Sequence, residues 1–86
     1  MYCVYVLTSV VCPERIYIGL TDDVERRLKQ HNRGDSGYSK RYAPWQLEVQ
    51  MVFLNKKIAQ DFEKYLKSGS GFAFLKKHFL NADKFV

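Results

Sequence analysis

Five side chains of this 86-residue chain combine types that could act together on one bond: Tyr5, Tyr17, Arg27, His31 and Glu63. The case starts in "YIGLTDDVERRLKQHN", Tyr17 to Asn32, which opens like a strand and continues like a capped helix. At about 100° per residue, Val24, Arg27, Leu28 and His31 fall at helical spacing on one stripe, where apolar residues belong. Two of the four are an arginine and a histidine. Burying an unpaired charge is expensive. The plainer alternative is that Arg27 snorkels to water and His31 is a satisfied core histidine. A second stripe, Ala59, Phe62, Glu63 and Leu66, repeats the oddity with a carboxylate. Glu63 either pairs with Arg27 or a lysine, or binds a divalent cation. One carboxylate, with substrate phosphate and waters, is a sufficient Mg²⁺ site. Core packing is the default for Tyr5 and Tyr17, since tyrosine suits strands. Together the five could hydrolyse a phosphodiester. That reaction needs a group on the water, a cation against the phosphate, and stabilisation of the leaving oxygen. The several carboxylates of a two-metal nuclease are missing, so one metal ion is expected.

The elements that must position these residues can be read from pattern. "MYCVYVLTS" and "RIYIG" read as two strands joined by the turn "VVCPER". In the second strand Ile16 and Ile18 share one face and leave Tyr17 and Gly19 on the other. Gly19 leaves room for a phosphate or another backbone to approach. Asp22 is the expected N-cap of the first helix, with Glu25 completing a capping box. That helix should run to about Asn32, with Gly34 and Gly37 in the loop after it. "WQLEVQMVF", entered through Pro44, alternates as a third strand, with Leu47, Val49 and Met51 on one side. "NKKIAQDFEKYLKSG" reads as a helix from N-cap Asn55 to Gly69 at C′. "SGFAFLKKHFL" reads as a last helix with Phe74, Leu75 and Phe79 inward. The order is β-β-α-β-α-α in one domain, 1–86, without repeats or linkers.

Composition narrows the function. The chain is 47% hydrophobic and 15% aromatic, which argues for a packed core and against disorder. No apolar run reaches the ~18 residues that span a bilayer, and "MYCVYVL" lacks the marks of a signal peptide; a cytoplasmic protein is expected. Cys3 and Cys12 form no metal or disulfide motif. The net charge is +5. All of the excess lies in residues 26–41, which carry Arg26, Arg27, Lys29, Arg33, Lys40 and Arg41 against Asp35 alone. Tyr38 and Tyr42 sit in the same window, with Trp45 close behind. Basic residues interleaved with aromatics suit a polyanion with stackable bases, with Arg33, Lys40 and Arg41 on its phosphates. A solvated basic face is the alternative.

These residues also resemble a known family. The chain is similar to GIY-YIG endonuclease domains, and most to small stand-alone bacterial members related to the N-terminal incision domain of the excinuclease. "VYV" at 4–6 occupies the first motif, with Tyr5 kept and Val4 in place of glycine; "YIG" at 17–19 is the second motif intact. Arg27, ten residues after Tyr17, holds the family's arginine position. His31 falls where the family carries His or Tyr, and Glu63, in "FEKYLKSGSG", at its metal-binding glutamate. "YSKRYAPWQL" and "KSGSGFAFLKKHF" resemble further segments. Leu20 and Phe72 differ, standing where related members carry basic residues. The resemblance implies an α/β (α+β) fold with a small three-stranded antiparallel sheet flanked by helices. It implies a metal-dependent endonuclease on nucleic acid, with DNA expected, using one Mg²⁺ or Mn²⁺ held by Glu63. Tyr17 would orient or activate the water with help from Tyr5 and His31, and Arg27 would hold the scissile phosphate. Specificity is expected to be low or supplied by a protein partner. The alternative function is a non-catalytic nucleic-acid-binding module with a dormant site.

Overall fold

The computed structural model describes residues 1–34 and 37–80; Asp35, the one acid of the basic window, lies outside them. Three strands, β1 (Tyr2–Ser9), β2 (Ile16–Thr21) and β3 (Trp45–Phe53), form an antiparallel sheet in the order β2-β1-β3. The helices are α1 (Val24–Arg33), α2 (Gly37–Tyr42), α3 (Lys56–Lys67) and α4 (Gly69–Phe79). The expected order holds, with the short α2 added between α1 and β3.

Helices cover the sheet on both faces, which explains why central β1 is buried from Cys3 to Ser9 with little alternation. Val4 and Val6 face one way, into a core with Ile18 of β2, Ala59 and Leu66 of α3 and Leu75 of α4. Tyr5 and Leu7 face the other way, with Trp45 and, at their margin, Val24 and Leu28 of α1 and Tyr42 of α2. β3 feeds both cores through a bulge. Val6 pairs with Val49, but the next residue, Leu7, pairs with Leu47, so Glu48 is skipped. Leu47 and Val49 therefore serve opposite faces, and not the single face their spacing implied, because one extra residue reverses the alternation.

Local chemistry sets the helix ends. Asp23, and not Asp22, is the N-cap of α1; its side chain accepts from the Arg26 backbone N–H, while its own N–H donates to Thr21 Oγ1 at 3.1 Å. The shift by one residue removes the expected capping box and leaves Glu25 as a favourable charge in the first turn. Gly34 ends α1 in the left-handed region at φ 76°. Gly37, expected in a loop, starts α2. Asn55 caps α3 as expected, by accepting from the Ile58 N–H. Ser68 closes α3 in an extended conformation and caps α4, so Gly69 opens the next helix and is not a left-handed C′ residue. In α4, Leu75 is buried, but Phe74 and Phe79 lie on the surface, contrary to the periodic reading. Gly71 occupies the inward position one turn before Leu75. A Cβ there would stand 1.6 Å from the Tyr65 carbonyl oxygen, so only glycine lets α4 approach the end of α3.

Candidate active site

The site is built where side chains of α1 meet those of β1 and the edge strand β2. Tyr5 and Gly19 are cross-strand partners. The Tyr5 ring lies over Gly19, where a Cβ would meet the phenol at 2.5 Å. The space beside Gly19 is thus filled by Tyr5 and does not stand open for a phosphate. The Tyr5 hydroxyl, reaching across β2, accepts from Arg27 Nε at 3.4 Å and bonds His31 Nε2 at 3.2 Å. His31 Nδ1 bonds Ser39 Oγ at 2.7 Å, and the Ser39 carbonyl accepts from Trp45 Nε1 at 3.0 Å. With His31 neutral, one proton arrangement satisfies the chain: Arg27 donates to Tyr5, Tyr5 donates to Nε2, and Nδ1–H donates to Ser39. Among the described residues no buried side-chain polar atom lacks a partner.

Arg27 and His31 do face the sheet, as the stripe required. His31 is 5% exposed, so it is a satisfied interior histidine that also touches the tyrosines. Its ring lies 4.3 Å from that of Tyr17, centroid to centroid. Arg27 is half-buried; its Nη1 donates to Gln30 Oε1 at 2.8 Å, and among the described residues it has no carboxylate partner. The Tyr5 hydrogen bond and the nearby Tyr17 hydroxyl hold its pKa above the ordinary guanidinium value. Burial pushes the Tyr5 phenol above the ordinary 10.0, against the opposing pull of Arg27. The raised value favours the neutral phenol, which can both accept from Arg27 and donate to His31.

Glu63 stands on α3, the layer on the opposite face. Its side chain is 21% exposed and its carboxylate pairs with Lys67 at 3.2 Å, so the ion pair goes to a lysine and not to Arg27. Its charge nevertheless reaches Tyr5, whose ionisation it disfavours. This donor set fits a single hard cation. One accessible carboxylate suits Mg²⁺ or Mn²⁺ that keeps several waters. Among the described residues no three His, Cys, Asp or Glu groups cluster to form an all-protein cage. Cys3 and Cys12 are free thiols.

Tyr17 also lines a cleft of about 430 Å³ with Ile16, Ile18, Tyr38, Lys67 and Phe72. A larger cleft of about 750 Å³ lies against α4 and contains none of the five residues. Volume does not single out the site; convergent polar groups do. Arg33, Lys40 and Arg41 are exposed around the contact of α1 with α2, on the same side of the sheet as Arg27. Two contributors were not read from the sequence. Ser39 orients His31, and Asn32 bonds both backbone groups of Trp45, tying α1 to the start of β3. Asn32 had a signal, a polar residue at the expected helix end; Ser39 had none until α2 folded it against His31.

A family model and several known proteins are similar to this chain. The model of the GIY-YIG catalytic domain matches residues 1–82. A structure-specific endonuclease subunit slx1 of Talaromyces marneffei is 45% identical over 51 residues, 54% of this chain and 13% of that protein. The like-named proteins of Paracoccidioides brasiliensis and Debaryomyces hansenii are 38% and 37% identical over 72% and 77% of this chain, and 16% and 21% of their own lengths. All three are fungal proteins, and the chain spans about a fifth or less of each.

Proposed function

The chain belongs to the GIY-YIG catalytic domain family, and on that basis we propose that it is a nuclease, hydrolysing phosphodiester bonds in nucleic acid, with DNA the expected substrate. The observation that carries this is Arg27: a half-buried cation without a carboxylate partner among the described residues, beside Tyr17 and braced by Tyr5. Its missing counter-charge is the scissile phosphate. Arg27 binds the non-bridging oxygens and stabilises the charge that grows on them. Tyr17, at the mouth of the cleft, orients the attacking water. Tyr5 and His31 are too buried to meet substrate; they hold Arg27 and the Tyr17 ring in place. Glu63, with water and substrate phosphate, would hold a Mg²⁺ or Mn²⁺ ion, which when bound would supply positive charge against the phosphate and the leaving oxygen. Arg33, Lys40 and Arg41 bind flanking phosphates. The relatives' name, structure-specific endonuclease subunit, supports a nucleic-acid substrate and a companion chain that contributes specificity.

One observation favours the dormant binding module instead: Lys67 already neutralises Glu63. A panel of duplex, branched, damaged and single-stranded DNA and RNA, with and without Mn²⁺, separates the two. The nuclease cuts at least one member, and Glu63→Gln abolishes cutting while keeping or improving binding. Cutting at the native rate by Glu63→Gln defeats the metal assignment. Binding without cutting by both proteins establishes the module.

A further inference from the structure

Tyr38 belongs to neither core cluster. Its side chain is 41% exposed, yet its ring is fixed. Trp45 stacks near-parallel to it at 5.7 Å between centroids, and Tyr42 and Tyr17 flank it at 5.2 and 6.5 Å. Its hydroxyl donates to the Ile16 carbonyl at 3.5 Å. An exposed aromatic clamped in this way keeps a flat surface toward the cleft it shares with Tyr17, Phe72 and Lys67. Cations lie on the neighbouring Tyr42 and in the cleft lining. Arg15 lies over the Tyr42 ring at 4.9 Å, Arg41 near the same ring at 5.8 Å, and Lys67 at the cleft wall.

We propose that this cleft seats one unpaired nucleobase, stacked on Tyr38. The proposal rests on the nuclease reading and names its substrate class: nucleic acid with an unpaired nucleotide beside the cut. A base inside a duplex has both faces covered by its neighbours and reaches Tyr38 only by leaving the stack. Base–aromatic stacking is indifferent to base identity, because every base has a π-face. The cleft therefore reads strand state and not sequence. Because Tyr17 belongs to both the cleft and the catalytic cluster, a base seated there carries its own phosphate toward Arg27.

The test uses the full chain in chelator at low salt, so that nothing is cut. The probes are a blunt DNA duplex, the same duplex with a single-stranded fork, and a fork with 2-aminopurine or an abasic residue as its first unpaired nucleotide. The fork should bind about 5- to 100-fold more tightly than the blunt duplex, the range that one stacked base supplies. The 2-aminopurine fluorescence should be quenched on binding. The abasic fork, which keeps the phosphate, should fall to the affinity of the blunt duplex. Tyr38→Phe and Tyr38→Trp should keep the preference, and Tyr38→Leu should lose it. Equal binding of the abasic and intact forks by the native protein overturns the proposal without reliance on any variant. So does undiminished quenching in Tyr38→Leu. If the native protein binds the probes but ignores the unpaired base, only the seat is refuted. If it binds no probe, the nuclease reading falls with it.

Discussion

Tyr5 governs the site at the scale of single residues, because its hydroxyl meets both Arg27 and His31. Its folded pKa is raised above 10.0, first by burial. The unfolded chain therefore releases this proton at lower pH than the folded one. The stability that neutral Tyr5 contributes is present below about pH 10 and is lost as pH rises through the folded value. In an alkaline titration of phenolate absorbance, one of the six tyrosines should ionise late, at the onset of unfolding, and Tyr5→Phe should remove that late step. Arg27 carries a second prediction. It forms hydrogen bonds to Gln30 and Tyr5 but no buried ion pair among the described residues. Arg27→Ala should then cost about 1 kcal/mol of stability, and not the ~3–5 kcal/mol of a broken buried pair. Turnover should fall about 10²- to 10³-fold. Thermal melting beside cleavage rates checks both, and a large melting loss with normal activity per folded molecule would reverse the assignment. A third concerns Ser39. Ser39→Ala should lower kcat about tenfold with KM little changed, because His31 loses its orientation, and Ser39→Thr should restore it. Arg27, His31 and Glu63 were legible in the sequence because a polar group on an apolar stripe contradicts periodicity. Ser39 broke no pattern; nothing local tells that its hydroxyl will meet a histidine eight residues earlier.

The element scale shows where pattern reading fails, and why. β3 alternates cleanly in sequence, yet its two ends serve different faces, because register belongs to a strand pair and the bulge at Glu48 is invisible in one strand alone. α4 carries Phe74 and Phe79 outward because closeness to α3 selected its inward face, and the residue admitted to that contact is Gly71. Local hydrophobicity voted for the phenylalanines; backbone approach decided against them. This yields a fourth prediction. Gly71→Ala should destabilise by about 1–3 kcal/mol, the ordinary range for overpacking, with the methyl forced against the Tyr65 carbonyl. Denaturant midpoints at unchanged slope would measure it. An alanine tolerated at full stability would mean that α4 can lift off α3 freely. α2 escaped prediction for a different reason: six residues between glycine and proline resemble a loop, and the segment becomes helical where Ser39 bonds His31 through its hydroxyl and Trp45 through its carbonyl.

For the molecule as a whole, the concentration of net charge in one window was the most informative feature of the composition, and folding keeps Arg33, Lys40 and Arg41 exposed on the contacting helices α1 and α2. Among the described residues no helix is long and apolar enough to cross a membrane. If those three cations bind phosphates, log affinity should fall with log salt with a slope near −3 from them alone, about 0.9 per phosphate on duplex DNA. Replacing Lys40 by glutamine should lower the slope by about one, whatever the sequence bound. A salt-independent affinity would deny the basic face its role. The two-sided sheet has another consequence. Arg27 and His31 come with the layer on one face, and Glu63 with the layer on the other, so neither layer alone assembles the five. They also arrive at different times. A chain leaving the ribosome presents both tyrosines, the arginine and the histidine before β3 exists, and the carboxylate only after it. If Glu63 holds the metal, the site is completed only once α3 has followed β3, and it comes apart when the α3–α4 layer lifts from the sheet.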